Sequence, residues 1–98
     1  MADAALIDRP GAMRFEQAVA TPEGGTAMVW ADYAAQGMTR TLLHVEAEAA
    51  LRGSGAAGRF MQALADHARA EGLTLAPRCG YAVAWFKRNP DQADVLAG

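Results

Sequence analysis

Residues 52–58, Arg-Gly-Ser-Gly-Ala-Ala-Gly, combine one fixed cation with small side chains and accessible backbone. They open a segment with helical periodicity, and the first turn of a helix carries unpaired N–H groups and about half a positive charge. An anion binds favourably at such a place. Small side chains let a phosphate approach the backbone, and Arg52 adds a guanidinium group. The stretch therefore predicts a phosphate-bearing cofactor; a glycine-tolerant loop that leads into a core helix is the alternative.

The segment that follows is an amphipathic helix. Its apolar residues recur at steps of three and four, which places them on one face. They are Ala57, Phe60, Met61, Leu64, Ala65 and Ala68. Gly72 stands where the helix C-cap is expected, because glycine adopts the left-handed conformation without a steric clash.

Strands joined by short turns are predicted before this helix. They cover Met13 to Ala20, Thr26 to Tyr33 and Met38 to about Ala47, with turns at residues 21–25 and 34–37. Consecutive strands with short connections form an antiparallel meander. Residues 1–12 are expected to be a loose leader, in which Leu6 and Ile7 could add a short edge strand.

A further strand and a second helix are predicted after the central helix. Residues 73–76 form the strand, and a strand–helix–strand connection of this length implies a right-handed parallel crossover. Residues 81–89 form the helix, which Pro90 ends, and residues 91–98 form a turn or a frayed end. The fold class is therefore α+β in a single domain of residues 1–98. It has a three-stranded antiparallel meander, a central helix, a fourth strand parallel to the third, and a short C-terminal helix.

Bulk properties limit the classes of function. The 98 residues are enough for one small domain, and the formal net charge is −2 with scattered basic residues. Nucleic-acid binding would need a clustered basic face. A single cysteine fits a reducing compartment, and no apolar run approaches the ~18 residues needed to span a bilayer. A cytoplasmic protein that binds neither nucleic acid nor membrane is expected.

Residues 53–58 also match the dinucleotide fingerprint G-x-G-x-x-G. In that fold the first glycine directly follows a parallel strand, and an acidic residue at the end of the next strand binds the ribose. Here the polar residues 46–51 separate the strand from Gly53, and Pro77-Arg78 stands where the acidic residue would be. A dinucleotide-binding protein is therefore a second alternative. A Walker loop is excluded because no Gly-Lys-Ser/Thr follows.

Arg52-x-x-Gly55-x-Ala57 resembles the R/Q-x-x-G-x-G/A signature of the GNAT acetyltransferase superfamily. The chain also resembles the small, shortened members of this superfamily, whose motifs occur here in order between Arg14 and Pro90. The matching residues are Arg14-Phe15-Glu16, His44-Val45-Glu46, Arg52-Gly53-Ser54-Gly55, Ala68 to Leu73, Pro77-Arg78-Cys79 and Arg88-Asn89-Pro90. The chain departs from the family pattern at Val45, Ala47 and Asn89, where threonine, valine and histidine are usual.

The resemblance implies that the signature binds the pyrophosphate of acetyl-CoA or CoA. It also implies a V-shaped opening between the third and fourth strands, where pantetheine pairs with strand backbone. The implied cofactor-binding residues are Val45, Ala47, Arg52, Gly53, Ser54, Gly55, Ala56, Ala57, Gly58 and Arg88. For Arg88 the alternative is that it forms a solvated basic face together with Lys87. The extra family helices have no room between Ala20 and Thr26. The acceptor side is therefore either open or completed by a partner subunit, as in a homodimer.

Acyl transfer from a thioester needs a nucleophile, a way to remove its proton, and support for the leaving thiolate. Cys79 stands near the start of the second helix, where the helix dipole and Arg78 favour a thiolate. The resemblance places this cysteine close to the cofactor thiol, so an acyl-enzyme relay is conceivable. A buried small hydrophobic residue is the alternative.

Glu46 is the candidate general base, since related acetyltransferases often place one on the strand that leads to the cofactor loop. His44 and Glu48 are expected on the same strand face. A solvent-exposed polar face is the alternative, with His44 as a structural hydrogen-bonding residue. Tyr81, Trp85 and Phe86 are expected to pack the second helix. Dispersed histidines and one cysteine support no metal site.

These observations predict an acetyl-CoA-binding N-acetyltransferase with an unidentified small-molecule or peptide amine acceptor. An acyl-CoA-binding module without turnover is the alternative. It is favoured by the missing acceptor helices, and because the usual family tyrosine falls nearer Trp85-Phe86, neither of which can donate a useful proton.

Overall fold

A computed structural model describes residues 3–97 of the chain. The strands and helices are β1 Ile7–Arg9, β2 Arg14–Ala20, β3 Thr26–Gln36, β4 Thr39–Ala47, α1 Ala56–Glu71, β5 Thr74–Pro77 and α2 Gly80–Arg88. Short 3-10 segments lie at Pro10–Ala12, Ala49–Leu51 and Pro90–Val95. The five strands form one sheet in sequence order, antiparallel from β1 to β4, and β5 pairs with β4 in parallel. The predicted α+β fold is confirmed, with β1 as an additional edge strand.

Burial alternates along β2 and along most of β3, so one face of these strands enters the core and the other stays open. The largest fully buried side chains are Phe15, Val19, Val29, Leu42, Phe60, Met61, Leu64 and Leu75. Each contributes about 1.5–3 kcal/mol by leaving water. On α1 the prediction for Ala57 is wrong, because Ala56 is 1% exposed and Ala57 is only half-buried. None of the helices among residues 3–97 is long and apolar enough to cross a membrane.

Strand β4 contains a bulge at Leu43. Tyr33 of β3 pairs with Leu42, and the preceding Asp32 pairs with His44, so Leu43 is an extra residue without a partner on β3. An extra residue reverses the alternation of the side chains that follow it. Leu42 is therefore buried and Val45 packs against the core, whereas the intervening His44 is exposed.

The predicted turn at residues 34–37 is wrong. β3 runs on to Gln36, which pairs with Thr39 across a two-residue turn, Gly37 and Met38. Gly37 has a φ of 59°, which suits a tight hairpin. The sequence does not predict this extension, because the end of β3 is polar and rich in alanine. Pairing with β4, rather than local strand propensity, stabilises it.

The two chain ends are also more ordered than predicted. The N–H of Ala4 donates to the carbonyl of Ala18, so the leader is attached to β2. In the tail, Val95 is 2% exposed, and Leu96 bridges Leu75 of β5. Residues 1, 2 and 98, which the sequence assigns to the leader and the tail, lie outside the described residues.

Gly72 is predicted to be sensitive to substitution. Its φ of 70° lies in the left-handed region, and its N–H caps α1 by donating to Ala68. Gly72→Ala should lower the free energy of unfolding by about 1–2 kcal/mol. Gly80→Ala is the matched control, because the added methyl group meets no atom within 4 Å and the backbone is helical. It should raise the free energy of unfolding by about 0.5 kcal/mol. Urea denaturation followed by circular dichroism measures both, and equal effects would contradict the assignment of the cap.

Candidate functional site

Strands β4 and β5 separate after Leu42. Their pairing runs from Thr39 opposite Thr74 to Leu42 opposite Pro77. The carbonyl of Leu42 then accepts the N–H groups of Arg78, at 3.0 Å, and Cys79, at 3.2 Å. Beyond this point the chain after β5 turns into α2, while β4 continues through residues 43–47. Among residues 3–97 this edge of β4 has no strand partner.

Cys79 lies at this fork, as the residue that precedes the first turn of α2. Partial burial raises the pKa of its thiol, but the backbone N–H groups of Ala82, Val45 and Tyr81 together outweigh burial, so the pKa lies below its ordinary value. These N–H groups act electrostatically rather than as capping hydrogen bonds of normal geometry. Val45 belongs to β4, so the sulfur lies between the diverging strands. The fork therefore favours a thiolate.

The loop before α1 presents backbone donors. Gly53 and Gly55 have φ values of 75° and 79°, which favour glycine at both positions. Ser54 Oγ donates to the carbonyl of Leu51 at 2.6 Å and accepts the N–H of Ala56 at 3.3 Å. Within residues 53–58, the N–H groups of Gly53, Gly55, Ala57 and Gly58 have no acceptor in the part of the chain that the structure describes. The loop thus has the donors that an anion needs, although the amide of Ala56 is already used.

Helix α2 places polar atoms next to this loop. A Cβ atom built on Gly58 would lie 3.9 Å from the Tyr81 hydroxyl and 4.0 Å from Nε1 of Trp85. Burial raises the pKa of Tyr81, and the nearby charge of Arg88 opposes this effect. Arg88 follows Tyr81 by seven residues, about two turns of α2, so it lies on the same side of the helix, and both Arg88 and Arg52 are exposed. The spacing Tyr81–Trp85 puts both residues on one helix face, but only the packing of α2 against α1 reveals what they face.

The predicted residues of β4 divide between two faces. Val45 and Ala47 pack against the core, and Val45 lies beside Cys79. Glu46 is exposed on the opposite face, where its carboxylate hydrogen-bonds Nε2 of His44. The prediction for Glu48 is wrong, because it follows the end of β4 and its carboxylate accepts the N–H of Met28. The structure brings Cys79 together with Val45, and the start of α1 together with Tyr81, whereas Glu46 lies on the opposite face of β4 from Val45 and no contact places Arg88 at the loop among the described residues.

Comparisons with known proteins connect this geometry to a family. A family model described as GCN5-related N-acetyl-transferase matches residues 14–95. The chain is also similar to a GCN5-like protein from Staphylococcus aureus whose solution structure was determined by NMR. The TM-score is 0.60 at 18% sequence identity, and the match covers 100% of this chain and 92% of that chain. A comparison with curated protein sequences found no match.

The lowered pKa of Cys79 predicts reactivity at lower pH than for a free cysteine. Because only the thiolate is alkylated, the rate of reaction with iodoacetamide should rise with a midpoint below that of an unperturbed cysteine thiol. Cys79→Ser is the control for reaction at other sites. Unfolding in urea should return the midpoint to the ordinary value. A midpoint at or above that of free cysteine in the folded protein would contradict the electrostatic role of the N–H groups.

Proposed function

The chain belongs to the GCN5-related N-acetyltransferase family, and we propose that it binds acetyl-CoA and transfers the acetyl group to an amine. The observation that carries this proposal is the separation of β4 from β5 after Leu42, where α2 begins and brings the Tyr81 hydroxyl beside Gly58 in the first turn of α1. An extended chain can pair with an open strand edge, and an anion can bind at a helix N-terminus. A pantetheine arm joined to a diphosphate has both features.

Backbone groups hold the diphosphate in this proposal. The donors are the N–H groups of Gly53, Gly55, Ala57 and Gly58. The hydrogen bond from the Ser54 hydroxyl to the carbonyl of Leu51 stabilises the loop that presents them. Arg52, at the start of the loop, and Arg88, in the last turn of α2, supply positive charge. The pantetheine arm runs along the edge of β4 at Val45 and Ala47, towards Cys79.

Two routes for the acetyl group agree with this arrangement. In the direct route the neutral amine attacks the thioester carbonyl, the C–S bond breaks, and CoA leaves as a thiolate that takes up a proton. In the relay route the Cys79 thiolate attacks first, which forms acetyl-Cys79 and releases CoA. The amine then attacks the acetyl-cysteine and regenerates the Cys79 thiolate. The lowered pKa of Cys79 and its place at the fork support the relay route.

Glu46 is the base that removes the amine proton in either route, directly or through one water molecule. Its hydrogen bond with His44 fixes the position of the carboxylate, and the carboxylate is exposed to an acceptor that approaches the open sheet face. Because Glu46 and Cys79 lie on opposite faces of β4, the amine attacks at the open edge of the strand, where a bridging water molecule connects it to the carboxylate.

A module that binds acyl-CoA without turnover is the second candidate function. Trp85 and Phe86 are 5% and 6% exposed, and neither can protonate a leaving thiolate. The Tyr81 hydroxyl lies beside Gly58 at the start of α1. Dinucleotide binding, the other alternative, requires parallel neighbours on both sides of the strand before the loop, whereas β4 is parallel to β5 and antiparallel to β3.

Calorimetric titration tests the cofactor. The wild type should bind CoA and should not bind NAD or NADP. Arg52→Ala and Arg88→Ala should each weaken CoA binding by about 5-fold, as expected for loss of about 1 kcal/mol from a partly exposed charged contact. Arg9→Ala, on the far edge strand β1, is the matched control and should bind as the wild type does. Absence of CoA binding, or equal binding of NAD, would refute the proposed cofactor.

Release of free thiol from acetyl-CoA over a panel of amines tests turnover. Glu46→Gln should lower kcat by about 100-fold at unchanged CoA affinity, because the base is lost and the cofactor contacts remain. If the relay operates, Cys79→Ala abolishes transfer, and mass spectrometry of the wild type without amine detects acetylated Cys79. Unchanged transfer by Cys79→Ala would establish the direct route. CoA binding without thiol release for any amine would leave the binding module as the function.

A further inference from the structure

Arg59, in the first turns of α1, is engaged on two sides. Its Nε and one terminal nitrogen donate to the carboxylate of Asp3 at 2.8 and 3.4 Å, and its other terminal nitrogen donates to the carbonyl of Ser54 at 3.2 Å. We infer that Arg59, held by Asp3, is a positioning residue that sets the orientation of the diphosphate-binding loop. The inference rests on the proposed binding of CoA, and it gives Arg59 a role distinct from that of a direct phosphate ligand.

Asp3 fixes the guanidinium of Arg59 relative to the sheet. The same carboxylate accepts the N–H of Ala20, at the end of β2, at 3.1 Å. The side chain of Asp3 is 22% exposed and that of Arg59 is 44% exposed, so the carboxylate is largely withdrawn from water. The hydrogen bond from Arg59 holds the pKa of Asp3 below its usual value. Asp3 therefore ties β2, the start of α1 and the loop to one another.

The contact with Ser54 controls a backbone donor. The carbonyl of Ser54 and the N–H of Gly55 belong to the same planar peptide unit and point in opposite directions. A carbonyl held by Arg59 therefore aims the N–H of Gly55 away from the guanidinium. If this peptide rotated, the carbonyl oxygen would take the place of the donor and would repel an anion.

The loop needs such a restraint because of its glycines. Gly55 follows the Ser54 peptide directly and Gly53 precedes it, and both have positive φ values. Glycine rotates more freely than other residues, so the geometry that exposes the N–H groups also allows the peptide to turn. When only a fraction of the molecules has the competent loop, the apparent affinity falls by that fraction. Arg59 raises the competent fraction without touching the phosphate.

A pair of ligands and a matched pair of variants test this inference. CoA contains the diphosphate and pantetheine does not, and NMR titration measures binding of both. Arg59→Ala should weaken CoA binding by about 5–10-fold, for a competent fraction that falls to about 0.1–0.2, and should leave pantetheine binding unchanged. Asp3→Ala should have the same effect with a smaller magnitude. Arg69→Ala is the control, because Arg69 forms a similar ion pair with Asp94, at 2.7 Å, near the other end of α1. It should leave both affinities unchanged.

A second measurement needs no ligand. In the free protein, the backbone amide resonances of Gly53 and Gly55 should broaden or double in Arg59→Ala and stay sharp in Arg69→Ala. Unchanged resonances in Arg59→Ala would overturn the inference, whether or not CoA binds. Equal weakening of CoA and pantetheine, or an equal effect of Arg69→Ala, would also overturn it, since both indicate general destabilisation. A wild type that fails to bind CoA refutes the proposed function and leaves the amide resonances to decide the role of Arg59.

Discussion

The carbonyl of Leu42 is the point on which the geometry of the site depends. It accepts two backbone N–H groups, those of Arg78 and Cys79, and so ends the pairing of β4 with β5. The same two bonds start the turn into α2 and place Cys79 at the beginning of that helix. Leu42 itself is fully buried, which anchors the fork in the core. A buried carbonyl requires hydrogen-bond donors, and the N–H groups of Arg78 and Cys79 are those donors. Backbone hydrogen bonding therefore stabilises the fork as it stabilises the sheet.

The bulge at Leu43 gives β4 two functional faces. After it, Val45 and Ala47 face the core and the start of α2, while His44 and Glu46 face the side opposite the core. Only a short turn, residues 21–25, joins β2 to β3, so among residues 3–97 no helix covers the face that carries Trp30. In the proposed reaction the amine nitrogen must still reach the acyl carbonyl, so donor and acceptor meet at the unpaired edge of β4 beyond Leu42.

The sequence predicts those features that depend on local signals. The structure confirms the periodicity of α1, the glycine at its C-cap and the alternation in β2. Each of these features is encoded by residues that are close together in the sequence. The glycine-rich loop is likewise recognisable from its residue types. Features that depend on distant partners are not predictable in this way. The bulge needs the register of two strands, the Tyr81 hydroxyl meets Gly58 only through the packing of two helices, and Arg59 and Asp3 are 56 residues apart.

Helix α1 is tethered at both of its ends to segments that lie outside the central sheet. Arg59 binds Asp3 before β1, and Arg69 binds Asp94 after α2. In both pairs the arginine lowers the pKa of the aspartate, so both carboxylates stay ionised across the neutral range. Exposed ion pairs contribute little to global stability, so their value here is geometric rather than energetic. A helix whose N-terminus is proposed to bind an anion needs a fixed orientation more than it needs additional stability. The two ion pairs restrain that orientation at both ends of α1, in addition to the packing of its buried face.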